Sequence, residues 1–189
     1  MKLMTNSILV TFLIAILMES PKAQIITHWG KDSSYYLYQA VDEYLIPNKI
    51  TFDHNISRRE ILDSIASYLT NEFFIKRTDF YKDKRDIVVA VQKLTSIVLP
   101  NRKLHIATIN IVDPDEICMT TFFQGTTGAH NTYLTLVSNF IQPQLSTPLL
   151  DCIVFTYNDD ELKAMDHINL EGIISEREIN SLVRKSIKD

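Results

Sequence analysis

Glycine is scarce in this 189-residue chain, which has only 4, and cysteine is scarcer still, with 2. Neither a C-x-x-C pair nor an H-E-x-x-H motif occurs, so the usual zinc spacings are absent. The five histidines, His28, His54, His105, His130 and His167, stand far apart, and no metal site is expected. An excess of positive charge is also missing. The formal net charge is −4, which leaves no electrostatic footprint for nucleic acid. Lys82, Lys84 and Arg85 do cluster, but Asp79, Asp83 and Asp86 interleave with them, as in a solvated loop. There is no G-x-S-x-G elbow for a serine nucleophile. No internal repeat, low-complexity tract or domain linker interrupts the chain.

Long apolar runs are lacking too, with one short exception. Ile8 to Met18 is uninterrupted but for Thr11, too short to span a bilayer comfortably. Met1-Lys2 precedes it, and polar residues and Pro21 follow. This is the layout of a secretory signal peptide over residues 1–23, cut after Ser20 or Ala23; an uncleaved anchor is the alternative. Its removal takes Lys2, Lys22 and Glu19 and moves the formal charge from −4 to −5. Residues 24–189 have the length of a single domain. Such a chain buries roughly 70% of its unfolded surface. Export permits a disulfide between Cys118 and Cys152, although each also sits in an apolar run, where a thiol packs as a small hydrophobe.

Periodicity outlines the elements. Tyr35 to Gln39 and Lys49 to Phe52 are rich in strand formers, and Pro47-Asn48 reads as the turn of a hairpin between them. Ser57 and Glu60 form a capping box for a helix over 58–72. Its stripe is Ile61, Leu62, Ile65, Tyr68, Leu69 and Phe73. Residues 75–86 read as loop. Ile87 to Leu99 fits a helix by spacing and a strand by its β-branched content. Leu104 to Val112 reads as a buried strand. Asp113-Pro-Asp-Glu116 has type I turn chemistry, and Ile117 to Phe123 would return antiparallel. Gly125-Thr-Thr-Gly128 then opens an amphipathic helix over Ala129 to Ile141. Leu149 to Tyr157 is a further buried strand. Asp166 to Gly172 reads as a short extended segment, and Ser175 to Lys188 as a helix with acid first and base last.

Chemistry is sparse. Gly125, Thr126, Thr127, Gly128 and His130 are the candidate ligand or partner contacts, because exposed N–H groups and hydroxyls at a helix start suit an anion. A P-loop needs a lysine where Ala129 stands, and a dinucleotide fold needs a third glycine; the tight turn alone accounts for the same residues. Cys118 with His130 or His167 and Asp166 can be written as a triad, but a thiol in an apolar strand is a poor nucleophile. Glu43, Asp113, Asp115, Asp159 and Glu161 could pair for glycoside cleavage, yet all stand in turn contexts where solvated acids are the default. Trp29, Tyr35, Tyr36, Tyr38 and Tyr44 form an aromatic cluster. Strand alternation places Tyr36 and Tyr38 on one face and Tyr35 on the other.

The middle of the chain resembles the GerMN domain of sporulation and germination envelope proteins. The matching positions are Tyr36-Leu-Tyr38, Leu45-Ile-Pro47, Leu99-Pro100, Leu104 to Val112, Ile117 to Phe123, Gly125 to Gly128, Ala129 to Ile141 and Leu150 to Tyr157. That family's Gly-bearing hairpin and its Val-Asp-Phe-Ser-like strand are replaced by Asp113-Pro114 and Thr121-Phe-Phe123. The resemblance implies an exported module that binds or scaffolds, and it carries over no active site.

The sequence therefore points to one α+β domain, an antiparallel sheet with helices packed mainly on one face. The expected function is a non-catalytic envelope or secreted binding module, periplasmic or extracellular, with an envelope protein or glycan as partner. It would need no cofactor, no nucleic acid and no membrane span in the mature chain. The alternative is a hydrolase of cell-wall or polysaccharide material.

Overall fold

The computed structural model describes residues 34–52, 55–76, 87–163, 165, 167–177, 179 and 183. The signal segment, Trp29, Asp166, most of the 75–86 loop and most of the last helix lie outside them. The class is α+β. A hairpin pairs β1 (Ser34–Val41) with β2 (Tyr44–Thr51). A second sheet holds β3 (Val88–Val98), β4 (Lys103–Val112), β5 (Cys152–Tyr157) and the short β6 (Asp160–Glu161) in that order, with β7 (Ile173–Ser175) also on β5. Pairing is antiparallel throughout except between β4 and β5, which run parallel. Parallel neighbours need a crossover, and the crossover here contains the helix α2 (Thr126–Ile141).

The first hairpin turns at Asp42-Glu43, not at Pro47-Asn48. Both turn residues have positive φ, 51° and 68°, the conformation that a two-residue turn between right-twisted strands requires. Pro47 instead lies inside β2, opposite Tyr38. It is tolerated because the N–H and C=O of Tyr38 point away from β2, toward α2. In antiparallel alternation its partner then also points outward, so the missing proline N–H costs no ladder bond.

The helix start at Ser57 forms as the capping box dictates. Glu60 N–H donates to Ser57 Oγ at 3.2 Å, and Ser57 N–H to Glu60 Oε2 at 2.8 Å. Helix α1 (Arg58–Tyr68) continues as a π-helical segment, Leu69–Ile75. The expected stripe is buried at Ile61, Leu62, Ile65, Leu69 and Phe73, with Tyr68 partly buried. Each such aliphatic or aromatic side chain contributes about 1.5–3 kcal/mol when fully removed from water.

Residues 88–98, ambiguous by periodicity, are strand. Their hairpin partner is β4, through the Pro100-Asn101 turn, where Leu99 N–H donates to Arg102 O at 2.8 Å. The expected hairpin after β4 does not form. Asp113 is fully buried rather than at a solvated turn. Its carboxylate accepts the N–H groups of Ile117 and Cys118 and the hydroxyl of Tyr157, and so caps a helical turn. Cys118–Phe122 is accordingly a short π-helical segment. The strand-forming aromatics serve as anchors: the Phe122 ring lies 4.8 Å from Phe74 and 5.7 Å from Phe73. Tertiary packing thus overrides local propensity. No disulfide joins Cys118 and Cys152; both are buried.

Helix α2 begins at Thr126, three residues before the apolar pattern does. It is buried nearly all round from Leu134 to Ile141, including Thr135, Ser138 and Asn139. Its polar stripe closes the open edge of β1. Gln142 exchanges hydrogen bonds with the Tyr36 backbone at 2.8 and 2.7 Å. Asn139 does the same with Tyr38 at 3.0 and 2.7 Å. Thr135 Oγ1 accepts Ala40 N–H at 2.9 Å, and Asn131 Oδ1 accepts Glu43 N–H at 2.8 Å. Four helical residues advance about 6.0 Å and two strand residues about 6.7 Å. The near match lets helix side chains stand where a neighbouring strand would.

Candidate functional site

The C-terminal ends of the parallel strands β4 and β5 are where open sheets commonly place ligands. Here that end carries the densest polar cluster among the described residues. Asp113 N–H donates to Asn158 Oδ1 at 2.7 Å, and Asn158 Nδ2 to Asp113 O at 3.0 Å. One step along, buried Asn110 donates to Asp159 Oδ1 at 2.8 Å and accepts from Asp159 N–H at 3.1 Å. Thr156 Oγ1 donates to Asn110 Oδ1 at 3.0 Å, and Gln92 Nε2 bonds Asp159. Asn158 and Asp159 both have positive φ, as their tight turn into β6 requires.

This cluster is built to hold the fold. Burial, then the Asp113 charge and a hydrogen bond to it, push the Cys118 thiol far above its usual range. Burial and the bond to Asp113 do the same to Tyr157. Neither group is an available nucleophile or base near neutrality.

At the opposite end of the strands, His105 and Asp151 meet. His105 N–H donates to Asp151 Oδ2 at 2.7 Å, and Asp151 N–H to His105 O at 2.9 Å. The ring Nδ1 of His105 lies 2.9 Å from Ser96 Oγ, its cross-strand partner. Serine, histidine and aspartate are thus adjacent, but the carboxylate holds the backbone of His105, not its ring. Burial lowers His105 to about 4, helped by the Arg58 and Lys103 charges. Burial also lowers Arg58, to about 10, against the opposing pull of Asp151. The same burial raises Asp151, opposed by the His105 N–H and by Arg102 and Arg58. A neutral imidazole and a carboxylate fixed to backbone make a structural clasp.

Residues 125–128 are exposed, and His130 is half-buried one turn later. Gly125 is the N-cap at φ 68°, ψ 144°, so no threonine side chain caps the helix. The turn is tied down from below, where Thr132 Oγ1 donates to Phe122 O and Gly128 O, each at 2.9 Å. The imagined Cys118 triad has its cysteine buried against Asp113, and Asp166 lies outside the described residues. Among the five carboxylates weighed for glycoside cleavage, Asp113 and Asp159 are spent on the cluster above. Glu43 sits in the turn of the other sheet. Tyr35 and Tyr38 are core, whereas Tyr44 is exposed. No group of three or more His, Cys, Asp or Glu among the described residues is arranged to hold a metal. No described helix is long and apolar enough to cross a membrane.

Sequence reasoning missed Asn110, Gln92 and Thr156, which are scattered along the chain and share no motif. It also missed the stripe Asn131, Thr135, Asn139, Gln142. That stripe has helical spacing and was readable in principle, but a polar face is ordinarily assigned to water.

Taken together, fold and site define a mixed-sheet α+β arrangement in which Asp113, Cys118, Asp159, His105 and Asp151 are engaged in holding loops. Comparison with family models, curated proteins and solved structures yields no match.

Proposed function

We propose that the chain is an exported, non-catalytic module that binds or scaffolds at the cell envelope, with an envelope protein or glycan as partner. The observation that supports this reading is the engagement of Asp113, Cys118, His105 and Asp151 in capping and clasping contacts. The N-terminal segment supports export. The resemblance to GerMN domains supports a scaffolding role, although its matched segment Ile117 to Phe123 is helical here. The exposed turn Gly125, Thr126, Thr127, Gly128, with His130 behind it, is the proposed contact surface.

Capture from the envelope fraction tests this. The wild-type chain should retain a stoichiometric partner, and a Thr126→Ala, Thr127→Ala, His130→Ala variant should lose it. Retention by the triple variant removes the turn as the contact surface. Turnover of cell-wall glycans by the purified chain, abolished by Asp159→Asn or Glu161→Gln, would overturn the non-catalytic reading.

A further inference from the structure

Among the described residues the sheet edges of this protein are closed or blunted one after another, and one stretch of β3 is left open. The outer edge of β1 is filled by the side chains of α2. On the outer edge of β2 the outward positions are Leu45, Pro47 and Lys49, by alternation from Tyr36, Tyr38 and Ala40. A proline with no donor and a lysine are what block strand addition. The other side of the large sheet ends in the two short strands β6 and β7. The first half of β3 is covered by α1 and its extension. Val89 N–H donates to Thr70 Oγ1 at 2.9 Å, and Val91 O accepts from Arg59 Nη2 at 2.6 Å.

Past the bulge at Gln92 no such contact from α1 or its extension appears among the described residues. Register fixes which groups face outward there. On β4, His105 and Ile111 direct their carbonyls toward the β5 side, to Asp151 and Asn158. Their alternate neighbours therefore face β3. Leu94, Ser96 and Val98, opposite Ala107, His105 and Lys103, hence point their N–H and C=O groups away from the sheet. Among the described residues these three make no backbone–backbone hydrogen bond outside the ladder. The stretch Leu94-Thr-Ser-Ile-Val98 carries no charge and no proline, and Val98 is 79% exposed.

We propose that this edge is a homodimer interface: a second copy of the chain adds its own residues 94–98 antiparallel, about a two-fold axis at Ser96. The edge is self-complementary in that register. Ser96 faces Ser96 of the other copy, and Leu94 faces Val98, so outward groups meet outward groups and about six backbone bonds form. Leu94 meets the exposed Val98 on one face, and Thr95 meets Ile97 on the other, the β-branched pairing that stabilises sheets. The nearest charge, Lys93, falls opposite Leu99, so no like charges confront each other. The two five-stranded sheets become one continuous sheet. The ladder is short, so the dimer is weak and dissociates on dilution.

Sedimentation of the purified full chain over a concentration series tests this. The weight-average mass should rise toward twice the monomer. Ser96→Pro removes an outward donor without touching the β4 ladder, and Val98→Lys places a cation opposite Leu94; each should hold the chain monomeric. Should the proline variant fail to fold, the lysine variant at an exposed position still decides. Register is read by oxidation of single-cysteine additions. Ser96→Cys places two Cα atoms about 5.5 Å apart, inside the disulfide range of about 4.4–6.8 Å. Val98→Cys places them roughly 13 Å apart along the strands. Cross-linking of the first and not the second is expected. A chain that stays monomeric at all concentrations overturns the proposal. So does association that survives both edge variants, or equal cross-linking at 96 and 98.

Discussion

Asn139 offers the sharpest test of how this fold is held. It is fully buried, and its amide exchanges two hydrogen bonds with the backbone of Tyr38. Asn139→Leu keeps the branching at Cγ and, although larger, is the better helix former, but it strips both partners. The Tyr38 N–H and C=O then remain buried with nothing to pair. Each stranded group costs about 1–3 kcal/mol, so the variant should lose about 2–6 kcal/mol, with about 4 as the central value. That is a large share of a stability of about 5–15 kcal/mol. With a urea dependence of about 1–3 kcal/mol per molar, the unfolding midpoint should fall by about 2 M. Amide exchange gives the local readout: Tyr38 N–H, protected in the wild type, should exchange far faster in the variant. Asn139→Asp sharpens the sign. A protonated aspartic acid can donate and accept like the amide, whereas a buried carboxylate faces the Tyr38 and Thr135 carbonyls. The penalty should be smallest below about pH 4 and grow as pH rises above the unfolded carboxyl value of about 3.9. A leucine variant within about 0.5 kcal/mol of wild type, with Tyr38 still protected, would refute the idea that helix side chains substitute for a strand.

Three further outcomes are expected. Gly125→Ala and Gly128→Ala should have opposite signs, although an added Cβ meets nothing within 4 Å at either site. The first forces a side chain to φ 68°, ψ 144° at about 1–3 kcal/mol; the second removes a helical glycine and gains about 0.5–1 kcal/mol, both measurable by thermal unfolding. His105 titrates near 4 in the folded chain and near 6.5 unfolded, so the unfolded state binds more protons between those values. Stability from this residue should therefore fall as pH drops from about 6.5 to 4, and a His105→Asn variant should lose that slope in pH-dependent denaturation. Asp113→Ala leaves the Ile117 and Cys118 N–H groups and the Tyr157 hydroxyl without their acceptor, costing about 2–4 kcal/mol. Cys118, inert to thiol reagents at neutral pH in the wild type, should label in that variant.

Much of the fold follows from the sequence alone. Ser57 and Glu60 are three residues apart ahead of an apolar stripe, and that local chemistry needs nothing distant to start α1. The strand formers of Tyr35 to Gln39, the apolar content of Leu104 to Val112 and Leu149 to Tyr157, and the spacing from Ala129 to Ile141 locate three strands and a helix for the same reason. What the chain could not disclose locally was partnership. Asp113 has the composition of an exposed turn and becomes a buried cap only because Tyr157 and the 117–118 amides converge on it. Pro47 signals a turn in isolation and is harmless within β2 only because its N atom faces outward. Asn131, Thr135, Asn139 and Gln142 look like a solvated stripe until β1 is laid along them. Segment type follows from side chains close in sequence in most elements, whereas at Cys118–Phe122 tertiary packing overrides them. The acceptor of each buried polar group is set by residues as many as 106 positions away, and only the tertiary structure brings those together.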